Sequence, residues 1–234
     1  MDISVATGDI LEQDADGIVL NLFEGIDTPG GATGAADRAL NGAVTALISG
    51  GDFTGKYKQT AVLYPQDGVA AKRLLLVGLG KQDAFTLDRV RGASGVAAKL
   101  GRDLGVKHLA SIVHGGGAGG LEIVDAAQAT VEGTLLGTYQ FRPYKTGEED
   151  ETKALERLTL VEFDAAKQGE VEQGALTGQI ISEGGCLARD LASHPANEMT
   201  PTILAERTSE MARSTGLLCE IWDAARMESE GMRT

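Results

Sequence analysis

Aromatic residues are scarce in this chain, with one Trp, four Tyr and five Phe among 234 residues. Its core must therefore come from Ala, Val, Leu and Ile, threaded by turns that 32 glycines supply. Cysteine is nearly absent. Cys186 and Cys219 lie in apolar surroundings without CxxC spacing, which excludes a disulfide framework and a zinc knuckle and fits a reducing compartment. Basic residues are outnumbered, 21 Lys and Arg against 34 Asp and Glu, for a formal charge of -13. That charge repels phosphate backbones and anionic lipid surfaces, so nucleic-acid binding is opposed. No apolar run approaches the roughly 18 residues of a membrane span, and the opening Met1-Asp-Ile-Ser-Val has neither a basic nor an apolar leader segment. A cytoplasmic protein with no membrane partner is the expectation. The three histidines, His108, His114 and His194, are dispersed, without HExxH or paired spacing, and read as structural groups rather than metal ligands.

What is present has the pattern of a layered α/β protein. A hydrophobic content of 42% against 24% charged residues is ordinary for a folded chain, so disorder is not the reading. Short runs rich in Val, Ile and Leu predict strands at 3–6, 17–22, 60–64, 73–77, 110–113 and 158–161. Between them, apolar residues at helical spacing predict helices over 35–48, 87–104 and 123–139. The acidic cluster in 145–152 predicts an exposed loop, and a stretch without proline predicts a long helix from about 170 to 191 that ends before His194-Pro195. Thr200 followed by Pro201 predicts a capped helix to about 214, then a strand over 217–222 and a short helix from 225. The organisation expected is a three-layer mixed sheet flanked by helices over 1–166, a linker helix over 167–193, and an incomplete second α/β domain over 194–234.

Several motifs come close to known chemistry. Gly50-Gly-Asp-Phe-Thr-Gly55-Lys56 nearly spells a phosphate-binding loop, but Tyr57 replaces the Ser or Thr that binds magnesium, and the segment lies between a helix and a strand. Val77-Gly78-Leu-Gly80 has the context of a dinucleotide turn, with Asp83 where the third glycine belongs. His114-Gly-Gly-Gly117 resembles an esterase oxyanion loop, yet no GxSxG nucleophile elbow occurs. The abundant carboxylates sit on helix surfaces and read as solvated.

The opening Thr7-Gly-Asp-Ile10, Ala15-Asp-Gly-Ile-Val-Leu-Asn21 and Pro29-Gly-Gly-Ala-Thr-Gly34 resembles the start of a macro domain. There, glycines bring backbone close to a diphosphate and a carboxylate holds the adenine amino group. Leu22-Phe23-Glu24 after Asn21 departs from that pattern, and Asp27 and Asp37 flank the loop where phosphate would sit. The resemblance is therefore read as one of fold. A site for ADP-ribose or a related nucleotide near Asn21 and Gly30 to Gly34 is the alternative function.

Over essentially its whole length the chain resembles the N-terminal portion of the leucyl aminopeptidase family. The resemblance rests on Gly34-Ala-Ala-Asp37-Arg-Ala-Leu40-Asn-Gly42, on Arg73-Leu-Leu-Leu-Val-Gly-Leu-Gly80 and on Glu132-Gly-Thr-Leu-Leu-Gly-Thr-Tyr139. Its most specific stretch is Ala188-Arg-Asp-Leu-Ala-Ser-His-Pro195-Ala-Asn197-Glu-Met-Thr200-Pro201, which departs from the family at Ser193-His194. The resemblance implies a metallopeptidase that removes N-terminal residues from peptides, holds two divalent ions, zinc or manganese, and assembles as a homohexamer. The family's metal and catalytic groups lie in segments similar to KGxxFDxGG and NTDAEGR, and neither occurs here. No catalytic, cofactor-binding or metal-ligating residue of this chain is assigned. The expectation is a truncated, non-catalytic N-terminal region with a structural and assembly role, inactive alone, which takes peptide substrate only as part of a full-length enzyme.

Overall fold

The computed structural model describes residues 1–117, 119–145 and 153–232. Apart from Lys145, the loop expected over 145–152 lies outside the described residues. The chain divides into two compact units, Met1–Cys186 and Leu187–Thr234.

The first unit is built on six strands, β1 (Asp2–Thr7), β2 (Gly17–Phe23), β3 (Thr60–Leu63), β4 (Leu74–Gly80), β5 (His108–Ile112) and β6 (Arg157–Glu162). They form one sheet in the order β1-β6-β5-β2-β4-β3, in which only β3 runs antiparallel to its neighbour. All six were legible as apolar runs. The seven residues of β4, Leu-Leu-Leu-Val-Gly-Leu-Gly, are all buried, as a parallel strand covered on both faces requires.

Strand alternation sorts the core into two layers. On one face Val19, Leu75, Val77, Leu109, Leu158 and Leu160 pack with alanines and valines of α3 (Leu87–Asp103), α4 (Ile123–Thr138) and α5 (Gln168–Ser193). On the other, Ile18, Leu20, Leu22, Leu74 and Leu76 meet Phe53 and the helices α1 (Gly31–Ala39) and α2 (Ala43–Ser49). The three-layer mixed α/β architecture read from the sequence is the observed one.

Alternation also leaves room for tight helix contact. A methyl on Gly133 of α4 would overlap the Arg91 carbonyl of α3, and one on Gly137 would come within 2.7 Å of Gly95 Cα. Backbone therefore approaches backbone between these helices, and Arg91 Nε reaches the buried Glu132 carboxylate at 2.5 Å.

Two expectations need correction. The helix predicted over 35–48 is broken in two. Asn41 (φ 51°) and Gly42 (φ 85°) adopt the left-handed conformation, which ends α1 before α2 begins at Ala43. Asp37 seals that corner. Its Oδ1 accepts the Thr45 N–H at 2.9 Å and its Oδ2 accepts the Thr45 hydroxyl at 2.6 Å. Burial acts to raise the Asp37 pKa, but these hydrogen bonds outweigh it and hold the carboxyl below its ordinary value. Second, residues 217–223 form no strand. Leu217 and Leu218 are exposed there, and a lone extended segment has no ladder to join among the described residues of its unit.

The second unit's regular elements among the described residues are helices. Thr200 accepts the Ile203 N–H and Pro201 opens α6 (Pro201–Thr215), which Gly216 closes at φ 73°. Asp223 caps α7 (Ala224–Ser229). The long helix expected from about 170 to 191 runs Gln168–Ser193. No helix among the described residues is long and apolar enough to cross a membrane.

Candidate functional site

Open parallel sheets leave a crevice outside the carboxyl ends of their strands. Here two adjoining cavities occupy that place. One, of about 360 Å³, is lined by Gly8, Asp9 and Ile10 beyond β1 and by Ala35 of α1. The other, of about 500 Å³, is lined by Asn21 and Phe23 at the end of β2, by Gly30 and Thr33 at the start of α1, and by Gly115, Gly117 and Gly119 beyond β5. Gly31, Ala32, Ile112, Val161 and Phe163 border both. Phe163 is 80% exposed at the shared lip, and Phe85 meets Phe23 edge-on with ring centroids 4.9 Å apart.

A buried polar relay backs the larger cavity. Ser111 Oγ donates to the Ile112 carbonyl at 2.9 Å, so it faces His114 Nε2, 3.5 Å away, as an acceptor. The proton of His114 then sits on Nε2, and its Nδ1 accepts from Asn21 Nδ2 at 2.9 Å. His114 is fully buried, and that burial pushes its pKa down to about 4, so the ring is neutral as the relay requires. Thr33 donates to the Asn21 carbonyl at 2.7 Å and ties α1 to the strand end. Asp9 uses Oδ1 to accept the Leu11 N–H at 2.9 Å, which fixes the turn that follows β1.

The other motifs have structural explanations. A methyl on Gly78 would overlap the Lys56 carbonyl, and Gly80 donates to the Gly55 carbonyl at 2.9 Å, so Val77-Gly78-Leu-Gly80 is shaped by close backbone packing. The segment from Gly50 to Tyr57 follows α2 and leads into β3, with no helix N-terminus behind it. His114 of His114-Gly-Gly-Gly117 is the relay histidine, while His108 Nε2 lies 2.8 Å from Thr159 Oγ1 in the sheet. Asp37 turns both oxygens to Thr45. Among the described residues no group of three or more His, Cys, Asp and Glu side chains is placed to hold a metal ion, so the two divalent ions implied by the resemblance do not fit these residues. Phe163 went unnoticed in the sequence, although an aromatic directly after a strand, in a chain with five phenylalanines, was its available signal. The pairing of Asn21 with His114 spans 93 positions and left no local trace.

Comparison with known proteins gives these features a family. Residues 19–148 match the model of the cytosol aminopeptidase family N-terminal domain, and residues 186–234 match that of the same family's catalytic domain. A probable cytosol aminopeptidase of Roseiflexus castenholzii is 35% identical over 99% of this chain and 44% of its own length. A tomato leucine aminopeptidase mutant superposes with a TM-score of 0.80 at 21% identity, covering 98% of this chain and 46% of that one. A Trypanosoma brucei macrodomain, solved in complex with ADP, superposes with a TM-score of 0.57 at 16% identity over 74% of this chain and 68% of its own. The chain thus spans about half the length of the curated relatives it matches. With more than half of its residues matching the N-terminal domain model, the chain belongs to the cytosol aminopeptidase family.

Proposed function

We propose that these residues supply the N-terminal lobe, the connecting helix and the first helices of the catalytic domain of a cytosolic metal-dependent aminopeptidase. The observation that carries this is the order of the two family matches along one chain, N-terminal domain over 19–148 and catalytic domain from 186. The family is metal-dependent. The whole enzyme would release N-terminal residues from peptides, leucine foremost, and carry two divalent ions, zinc or manganese, on segments other than those described here. Two-metal hydrolysis needs a pocket of convergent carboxylates, with cations to steady the tetrahedral intermediate. The described residues offer no such cluster, so their own part in this reading is structural: to fold the lobe, carry the connecting helix and support self-association into the hexamer. The 234-residue polypeptide, assayed on leucine p-nitroanilide with added manganese, is expected to give no turnover above buffer. Turnover that tracks the purified protein would overturn the non-catalytic role.

A second reading is favoured by the paired cavities. Their position at the strand ends and their combined size suit a nucleotide of the ADP-ribose class. Calorimetric titration with ADP-ribose tests it, and an absence of heat at millimolar ligand would leave the structural role alone.

A further inference from the structure

We propose that a groove between α3 and α4 binds a short open-chain dicarboxylate, with one carboxylate at the end that carries Lys58 and Arg91 and the other at the end that carries Lys99. The groove shares no lining residue with the crevice at the strand ends.

The groove exists because the two helices meet through glycine. Gly95 faces Gly137, and Gly133 faces the Arg91 carbonyl, which removes the side chains that would otherwise fill the contact and leaves a cavity of about 280 Å³. Packing explains these glycines. What points to a ligand is charge. Lys58, Arg91 and Lys99 line the cavity against one carboxylate, Glu132, in a chain whose formal charge is -13. Glu132 is already committed, since its Oε2 accepts from Arg91 and its Oε1 from Gln128 at 2.7 Å. Arg91 also donates from Nη1 to Asp88 at 2.8 Å. Lys58 and Lys99 are exposed, and neither ammonium meets a carboxylate among the described residues.

One of these lysines is held there by an uncommon backbone conformation. Lys58 has a φ of 66°, a value that costs a residue with a side chain some strain, and its N–H donates to the Gly78 carbonyl at 2.9 Å. The sheet thus fixes the turn. Lys58 Cε and the Tyr57 hydroxyl occupy the space where a methyl on Gly92 would stand, so both side chains lie across α3 beside the cavity. The Tyr57 ring has Lys58 Nζ 5.1 Å and the Arg89 guanidinium carbon 5.0 Å from its centroid, which gathers further positive charge at this end.

The spacing of the charges selects the ligand. Gly92, Val96 and Lys99 stand at i, i+4 and i+7 on one face of α3, so Lys58 over Gly92 and Lys99 mark two ends whose backbones are about 10 Å apart along the helix axis. Val96 and Leu136 line the cavity as well and supply its apolar surface. A ligand matched to this arrangement has an anionic group at each end and an apolar middle. An open-chain dicarboxylate is the simplest molecule of that description.

The test is calorimetry of the full chain with succinate, adipate and suberate, and with hexanoate, which has an apolar chain and a single carboxylate. Ionic strength is held fixed so that general screening is constant. Affinity should pass through a maximum within the diacid series, and the best diacid should bind about fivefold more tightly than hexanoate, the worth of one exposed ion pair. Lys58→Gln and Lys99→Gln should each remove that advantage while melting within a few degrees of the wild type. Lys167→Gln should keep it, because Lys167 is exposed in the turn before α5 and is not part of the cavity lining. An absence of saturable heat from every diacid with the wild type overturns the site. Equal binding of hexanoate and the best diacid, or an advantage that survives in either the Lys58 or the Lys99 variant, overturns the two-ended placement.

Discussion

His114 shows how one buried side chain makes folding stability depend on pH. Its pKa in the folded protein is about 4, against 6.5 for the ordinary imidazole. Between those values the unfolded chain binds a proton that the native state refuses, so stability rises with pH across that window and is lost as pH falls through it. Over the full window the loss amounts to roughly 3 kcal/mol. Carboxylates titrate in the same range, so the measurement is a comparison of urea midpoints for the wild type and His114→Gln from pH 7 to pH 4. The gap between the two proteins is expected to narrow steadily with acid. A gap of constant width would show that the imidazole is already solvated in the native state. The sequence placed His114 among structural histidines, and its hydrogen bonds to Asn21 and Ser111 explain why that role suits it.

Among elements, the contact between α3 and α4 carries the most exposed risk. Glu132 is 6% exposed as a side chain and accepts from both Arg91 and Gln128, so removal of the guanidinium strands a charge away from water. Arg91→Leu should cost about 3 kcal/mol, whereas Arg91→Leu with Glu132→Leu should recover much of that loss, because an apolar pair of similar volume avoids the desolvation. Thermal melts of the single and double variants decide this, and a double variant less stable than the single would refute it. Element by element, strands were the easiest to read, because burial on both faces leaves an unbroken apolar run such as Leu74-Leu-Leu-Val77. The break between α1 and α2 was hidden because Leu40, Val44 and Leu47 keep helical spacing across it. Asn41-Gly42 was the only local sign, since those residue types tolerate a left-handed turn. The segment 217–222 misled in the opposite way: its composition suits a strand, but a strand is completed by a neighbour that sequence spacing alone cannot provide.

For the molecule as a whole, the two hydrophobic clusters draw all their members from residues 3 to 175. The first unit therefore contains its complete core. A chain ending at Ser193, which keeps all of α5, should retain the cooperative melt of the sheet within a few degrees, measured by circular dichroism at 222 nm. Loss of that transition would mean that residues beyond 193 are part of the folding unit. The candidate cavities were partly legible at this scale. The glycines at 30–34 were read as a place for close backbone approach, while 115–117 drew only a likeness to an oxyanion loop, and the convergence of β1, β2, β5 and β6 on one crevice depends on strand order, which no local pattern encodes.

The pairing of β1 with β6 joins Asp2 to Arg157 at one end of the ladder and Thr7 to Glu162 at the other. The first of the six strands is thus an edge strand whose neighbour in the sheet is the last of them. During translation on the ribosome, Asp2–Thr7 must wait with its hydrogen-bonding edge bare until residue 162 has left the exit tunnel. At roughly 5 to 20 residues per second this wait lasts about ten to thirty seconds. The short length of that strand and its acidic first residue limit how well it can template a stray partner in the meantime.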